Sequence, residues 1–207
     1  MARDPQIQAT DSIDARRVNT WESGYSFPLR NRLYRLLWST TWRLLASWTP
    51  PPMHAWRRWL LRLFGASVAP NAGVYPSARI WSPANLDIGE FAFIGPNVIV
   101  YSMAKITLGP YSLVSQGAHI CTGTHDIDDP NFQLTARPIS INARAWVAAE
   151  AFVGPGVTVG EGAVLGARGC AFRDLAPWTV YAGNPALPIR QRLVRFESPK
   201  GGNAAEC

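Results

Sequence analysis

Between Val68 and Leu165 of this 207-residue chain, aliphatic residues recur every six positions apart from three breaks, and this period constrains the fold more than any other feature of the sequence. A helix repeats every 3.6 residues and a half-buried strand every two, so neither explains a period of six. Short strands joined three to a coil would give a triangular solenoid, with coils stacked about 4.8 Å apart. The aliphatic positions are Val68, Val74, Ile80, Ile88, Ile94, Val100, Leu108, Val114, Ile120, Ile141, Val147, Val153, Val159 and Leu165.

The fourth residue after each aliphatic is small or β-branched, and both sets are predicted to point into the coil. Glycine often follows the aliphatic directly, as in Ile88-Gly89 and Leu108-Gly109, which indicates a corner with a close backbone approach or a positive φ. The alternative is an ordinary β-sandwich with regularly spaced strands. The small or β-branched positions are Ala72, Ala78, Ala84, Ala92, Val98, Ala104, Ser112, Ala118, Thr124, Ala145, Ala151, Val157, Ala163 and Gly169.

The segment before the repeat is basic and apolar. Between Ser23 and Leu86 there are eight arginines and no acidic residue, so the rest of the chain carries about −2 of the total charge of +6. Helical spacing after Ser26 and Pro28 predicts one helix up to the prolines at 50–52. A second helix, Met53 to Phe64, is predicted to end at Gly65.

These helices have two interpretations. Their apolar stripe either caps the open first coil, which would otherwise expose a strand edge, or attracts anionic lipid as an interfacial amphipathic segment. The two roles are compatible.

The domain organisation follows from these patterns. We expect a flexible polar tail at 1–25, the basic amphipathic helical segment at 26–65 and the solenoid at 66–178. An excursion loop is expected at 126–138, and a C-terminal segment at 179–207 whose tail is disordered from about 197.

Cys121, Cys170 and Cys207 form no metal-ligand spacing and no disulfide framework, which favours a reducing cytoplasm. The polar N-terminus does not resemble a secretory signal. No stretch approaches the roughly 20 apolar residues of a membrane-spanning helix.

Two further segments, ICTGTHD at 120–126 and VYAGNPA at 180–186, together with the hexads, resemble the hexapeptide-repeat acyltransferases. More narrowly, residues 25–195 resemble the colanic acid biosynthesis acetyltransferase group, relatives of the maltose and galactoside acetyltransferases. The resemblance implies a left-handed parallel β-helix and a homotrimer with sites between subunits. It also implies acetyl-CoA as co-substrate, no metal, and a carbohydrate acceptor in surface or exopolysaccharide biosynthesis.

His125 is the predicted catalytic base. It occupies an outward position next to the largest break in the repeat, and neutral imidazole accepts protons near pH 7. A histidine at this place is the base in the family, and the alternative is an exposed loop histidine without a catalytic role. Asp126 is expected either to orient the imidazole or bind a sugar hydroxyl, or only to cap its own backbone.

The predicted acceptor residues also include Phe132 and Arg137 in the excursion loop, which otherwise pin the loop to the coil. Relatives position the acceptor with an asparagine about two coils before the histidine. Gly95 stands there in this sequence, and Asn97, two residues later, is the nearest candidate.

The resemblance places the donor along the C-terminal hexads, where Arg190 would meet the adenosine phosphates. Trp146 has a second interpretation as an interface residue, and Arg173 has one as an ion-pair partner of Asp174. The predicted donor residues are Trp146, Ala149, Gly166, Ala167, Phe172, Arg173 and Arg190.

Four other functions are weighed against sugar O-acetylation. Amino-sugar N-acetylation would use the same base and donor. A carbonic-anhydrase-like zinc site needs three histidines, yet His54, His119 and His125 do not share one edge of the coils. Cys121 as a nucleophile and a non-catalytic β-helix scaffold complete the alternatives.

Overall fold

The computed structural model describes residues 27–194, so the predicted tail at 1–25 and the predicted disordered end from about 197 lie outside the described residues. Two helices, α1 (Leu29–Leu45) and α2 (His54–Leu63), precede the strands. α1 begins directly after Pro28, and α2 is followed by Gly65 with a φ of +89°. Both predicted helices are therefore present.

The described residues that follow the helices form a parallel β-solenoid whose three sheets are called faces A, B and C. Face A contains β1 (Ser67–Val68), β4 (Leu86–Ile88), β7 (Ile106–Leu108), β12 (Ile139–Ile141) and β15 (Thr158–Val159). Face B contains β2 (Gly73–Val74), β5 (Phe93–Ile94), β8 (Leu113–Val114), β13 (Trp146–Val147), β16 (Val164–Leu165) and β18 (Thr179–Ala182). Face C contains β3 (Arg79–Ile80), β6 (Ile99–Tyr101), β9 (His119–Cys121), β14 (Phe152–Val153) and β17 (Cys170–Ala171).

Two antiparallel hairpins interrupt this pattern. The first, β10 (Gly123–His125) with β11 (Leu134–Ala136), projects between β9 and β12. The second joins β19 (Leu187–Gln191) to β18 at the end of face B.

The predicted core is confirmed. Strands pair in register, so Val74 stacks on Ile94 and Ile94 on Val114, and the same holds on the other faces. All fourteen aliphatic positions of the six-residue repeat are buried. The solenoid, and not a sandwich, is the fold because each coil pairs only with the coils before and after it.

Three of the small positions do not point inward as predicted. Ala84 is exposed, and Ala104 and Thr124 are only half-buried. Each follows the last aliphatic of a coil, where the chain makes an insertion before returning to face A. The inward positions at this corner are instead Ser82, Ser102 and Thr122. The Ser102 hydroxyl accepts from the Ser82 N–H and donates to the Ser82 carbonyl, and the Thr122 hydroxyl accepts from the Ala104 N–H and donates to the Tyr101 carbonyl.

Two reasons were predicted for the glycines that follow the aliphatic residues, and the structure supports close backbone approach. None of these glycines has a positive φ. A Cβ on Gly109 would lie 2.6 Å from the backbone nitrogen of Ala143 in the next coil. At the corners the positive φ falls instead on the third residue after the aliphatic, for example Asn97 and Arg144.

The helices cap the first coil with side-chain donors. Trp38 Nε1 donates to the carbonyl of Ile80 at 2.7 Å, and Trp42 Nε1 donates to Ala78 at 3.1 Å. Arginines from α2 satisfy three more carbonyls of this edge: Arg57 reaches Val74, Arg58 reaches Ala72 and Arg62 reaches Val68. The predicted capping role is therefore observed, and it explains much of the local basic excess.

The outward positions give the faces different polarity. On face A they are polar, including Asp87, Thr107 and Ser140 in register. On face B the corresponding positions are apolar and are Phe93, Leu113, Trp146, Val164 and Val180.

Candidate active site

The hairpin β10–β11 carries His125. β9 ends at Cys121, the chain leaves the coil, and His125 pairs in register with Leu134 across the hairpin. Gly123 makes room for side chains at its base, because a Cβ there would lie 2.5 Å from Met103 Sδ and 2.9 Å from Tyr101 Cε1, so a larger residue would displace them. The Arg137 N–H donates to the Thr122 carbonyl at 2.9 Å and closes the hairpin. The break in the repeat thus becomes an ordered projection.

The imidazole of His125 is exposed and held on one side. Its Nδ1 lies 2.9 Å from the backbone carbonyl of Phe132, and the two rings stack with centroids 4.4 Å apart and planes 12° apart. A carbonyl oxygen only accepts hydrogen bonds, so Nδ1 carries the hydrogen of the neutral ring. Nε2 is left with a lone pair, which is the form a general base requires.

Asp126 is turned toward the loop and not toward the imidazole. Its Oδ1 accepts from the Asp128 N–H at 3.1 Å, while Asp129 Oδ1 accepts from the Asn131 N–H at 2.7 Å. The Asp126 contact is the one expected if this residue caps the backbone of its own loop. The orienting partner of His125 is the Phe132 carbonyl, and a backbone group leaves no signal in the sequence.

The Phe132 ring packs on the candidate base, and its backbone, with a φ of 49°, shapes the loop. Arg137 packs against the following coil, because a Cβ on Gly156 would lie 3.4 Å from the Arg137 side chain. Its guanidinium is on the side of the hairpin that faces the later coils.

Asn97 is not brought to the His125 hairpin within one chain. It is a corner residue between faces B and C, with a φ of 56°, and its N–H is 3.1 Å from Ser77 Oγ. The hairpin leaves from the corner between faces C and A, one coil further on.

The predicted donor residues fall into three places. Trp146 lies in the apolar column of face B, with its Nε1 2.8 Å from Ser115 Oγ. At the corner between faces B and C, the Arg168 N–H donates to the Ala149 carbonyl at 2.9 Å, so small residues of two coils stack there. The small residues of this corner are Ala149, Gly166 and Ala167.

The third place is a cleft of about 500 Å³ at the end of the solenoid. Phe172 and Arg173 line it on one side, and Tyr181 and Leu187 line it on the other. Arg190 is exposed on β19, in the same β18–β19 hairpin as Tyr181 and Leu187. Asp174 accepts a hydrogen bond from the Thr158 N–H at 2.7 Å. The ion pairs formed within residues 27–194 do not include one between Arg173 and Asp174.

Sequence reasoning missed an ion pair at the small-residue corner. Arg168 Nε lies 2.6 Å from Glu150 Oε2, and both side chains are more than half exposed to solvent. Such a surface pair contributes little to stability. It does place a cation beside Ala149 and Ala167.

The remaining candidate reactive side chains, Cys121, His119 and His54, make contacts within the fold. Burial raises the pKa of the Cys121 thiol, which donates to the Gly123 carbonyl at 3.3 Å, so the nucleophile interpretation has no support from its environment. His119 packs edge-on against Phe152, and burial lowers its pKa. His54 contacts the Val74 carbonyl beside the cap. Within residues 27–194 no cluster of three or more His, Cys, Asp or Glu could hold a metal ion.

Comparison with known proteins gives relatives that share both the sequence and the fold. No protein-family model matches the chain. A protein of Escherichia coli (strain K12) named colanic acid biosynthesis acetyltransferase WcaF is 39% identical over 175 residues, covering 83% of this chain and 96% of that protein. A maltose O-acetyltransferase structure from Clostridium difficile 630 has a TM-score of 0.73 at 24% identity, covering 82% of this chain and 92% of that one.

A third likeness is to the hexapeptide-repeat-containing acetyltransferase VCA0836 of Vibrio cholerae O1 biovar eltor, solved in complex with acetyl coenzyme A. Its TM-score is 0.72 at 22% identity, and the match covers 82% of this chain and 93% of that one.

The coils and these relatives define the class, which is that of the hexapeptide-repeat acetyltransferases. Within it, the chain belongs to the colanic acid biosynthesis acetyltransferase family. The protein is therefore an enzyme that transfers acetyl groups, as the resemblance of the two short segments implies.

Proposed function

We propose that the protein transfers an acetyl group from acetyl-CoA directly to a hydroxyl group of a carbohydrate during surface or exopolysaccharide assembly. The observation that carries this proposal is the hydrogen bond between His125 Nδ1 and the Phe132 carbonyl, because it leaves Nε2 of an exposed imidazole free to accept a proton. An acceptor hydroxyl needs such a base as it attacks a thioester.

In this mechanism His125 Nε2 removes the hydroxyl proton while the oxygen attacks the thioester carbonyl carbon. The carbon–sulfur bond then breaks, and the imidazolium returns its proton to the departing thiolate. Backbone N–H groups stabilise the oxyanion formed between these steps. The transfer uses neither a metal nor an acyl-enzyme.

For the donor, we propose the path from the small-residue corner to the terminal cleft. The exposed backbone at Ala149, Gly166 and Ala167 suits the amides of a pantetheine arm, and the cations Arg173 and Arg190 suit its phosphates. Phe172 would cover the arm, and the complex of VCA0836 with acetyl coenzyme A supports this donor. For the acceptor, we propose the hairpin residues Asp126, Phe132 and Arg137.

We also propose a homotrimer that packs through the apolar column of face B, with sites between subunits. Trp146 then lies at the subunit boundary beside the donor path, and Asn97 contacts the acceptor only if a neighbouring subunit supplies it. A cytoplasmic location fits both the donor and the free thiols Cys121 and Cys170.

The test is acetyl-CoA turnover by thiol release over a panel of hydroxyl and amino sugars and a membrane-lipid extract, comparing wild type with His125→Ala. We expect turnover to fall by at least ~10² in the variant, since a general base contributes that much. The matched control is His119→Gln, which replaces a histidine on β9, the strand before the hairpin, and this variant should retain activity. If the enzyme acetylated only the amino sugars of the panel, amino-sugar N-acetylation would replace O-acetylation as the proposed reaction.

Acetyl-CoA binding is measured as the rise in the thermal midpoint of unfolding. This measurement distinguishes a variant that has lost catalysis from one that has lost its fold. His125→Ala should still be stabilised by acetyl-CoA. If wild type neither turns over nor binds acetyl-CoA, a non-catalytic β-helix scaffold replaces this proposal.

A further inference from the structure

We propose that the outer faces of α1 and α2 form a docking surface for an anionic lipid bilayer. This inference goes beyond the acetyl transfer proposed above and does not depend on it. The surface is defined as the exposed apolar residues opposite the capping side of the two helices and the segment that joins them. Its members are Leu29, Leu33, Leu36, Leu37, Leu44, Trp48, Trp56, Trp59 and Leu63.

The geometry of α1 separates the two sides. With 3.6 residues per turn, its exposed leucines share one arc of the helix, and the buried Trp38 and Trp42 point the opposite way. Leu33 is 56% exposed and Leu37 is 61% exposed, although the helix already buries Trp38 and Trp42 against the first coil. Capping the solenoid therefore does not account for this second apolar stripe.

The tryptophans next to α1 fit a bilayer interface. Trp48 Nε1 donates to the Leu44 carbonyl, and Trp56 Nε1 donates to the Leu45 carbonyl, so the polar atom of each indole is satisfied within the protein. Trp56 also stacks on Trp59 with centroids 5.1 Å apart. Indole rings of this kind favour the headgroup level of a membrane.

The charges around the stripe favour anionic lipid over a second copy of the chain. Helical rotation places Arg30 at one edge of the stripe and Arg43 at the other, and both are exposed. No acidic residue occurs between Ser23 and Leu86, so the docking surface carries no carboxylate. Two such surfaces facing each other would oppose arginine to arginine, whereas anionic headgroups neutralise them.

The helices would lie in the plane of the interface. No helix within residues 27–194 is long and apolar enough to cross a membrane. A helix with one apolar side and basic edges instead buries that side at the boundary between headgroups and acyl chains.

The experiment is co-sedimentation of the full chain with phosphatidylcholine vesicles, with and without phosphatidylglycerol. We expect wild type to bind the vesicles that contain phosphatidylglycerol, and the affinity to fall with added salt. Leu33→Glu/Leu37→Glu should reduce the binding at least about tenfold, since it places two carboxylates in the apolar stripe. Leu193→Glu is the matched control, because Leu193 is 75% exposed outside the helices, and it should bind like wild type.

Three outcomes would overturn the proposal: no binding by wild type, equal binding by the double variant, or a smaller molecular mass of the double variant in lipid-free solution. The last result would assign the surface to contacts between copies of the chain. The double variant should keep the wild-type thermal midpoint within a few degrees and its acetyl-CoA turnover on a soluble acceptor. A failure of the membrane proposal is thus distinguishable from a failure of the enzyme proposal.

Discussion

A single backbone contact sets the chemistry available to His125. The Phe132 carbonyl accepts a hydrogen bond from Nδ1, and the Phe132 ring covers one side of the imidazole. Nε2 and the other side of the imidazole are therefore the parts left open to a bound molecule. Asp126, the neighbour that the sequence suggests as an orienting residue, is engaged with the loop backbone instead. The free lone pair follows from a loop conformation and not from an acidic partner.

Spacing between coils is also decided by single residues. At Gly109 a Cβ would approach backbone atoms of the next coil to 2.6 Å, whereas at Gly154 the nearest backbone atom would be 3.2 Å away. Gly109→Ala must push two coils apart, and we expect it to destabilise the protein by about 2–3 kcal/mol.

Gly154→Ala occupies the same place in the hexad and is the control, with an expected cost at least about 1 kcal/mol smaller. Urea unfolding of both variants measures the difference. Equal destabilisation would show that clearance between coils does not determine where glycine is needed.

At the scale of elements, α1 and α2 complete the edge of the first coil. Five carbonyls of that coil accept hydrogen bonds from tryptophan and arginine side chains of the helices. Arg57 is wholly buried and also donates to Thr49 Oγ1 at 2.7 Å and to the carbonyls of Pro50 and Pro51. Burial lowers its pKa, but an arginine stays protonated at neutral pH.

Arg57→Met keeps most of the side-chain volume and removes every donor. We expect it to lower the free energy of unfolding by about 3 kcal/mol or more, because buried acceptors are left unsatisfied. The control Arg43→Met removes an exposed arginine of α1 and should change stability by less than about 0.5 kcal/mol. Denaturant unfolding distinguishes them, and a neutral Arg57→Met would refute the capping role.

At the scale of the whole molecule, the three faces differ in what they present to their surroundings. Face A presents polar side chains such as Thr107 and Ser140, and face B presents Leu113 and Trp146, which are about two-fifths exposed. An apolar column of this kind on a rigid face is suited to contact between subunits.

The proposed trimer predicts a mass of about 68 kDa in solution, three times that of the 22.7 kDa chain. Leu113→Arg on face B should shift the species to the monomer mass, while Thr107→Arg, an outward residue on face A, should leave the trimer intact. Sedimentation equilibrium measures both. A monomeric wild type, or dissociation by the face A variant alone, would contradict the proposed interface.

The six-residue period by itself determines the solenoid, its three aliphatic columns and the point where the chain leaves the coils. It can do so because every coil repeats one local arrangement, and Val74, Ile94 and Val114 differ only in the coil to which they belong. The same period also places His125 next to the largest break, but position and residue type alone do not distinguish a base from an exposed loop histidine, and the prediction of a base came from the family resemblance.

Only the tertiary structure decided what each polar group meets. The partner of His125 Nδ1 is a carbonyl seven residues away, and Arg57 and Trp38 on the helices each donate to a carbonyl of the first coil. Ser82 occupies the inward position predicted for Ala84. These contacts join atoms that only the folded chain brings together, and backbone acceptors have no residue type for a sequence pattern to record.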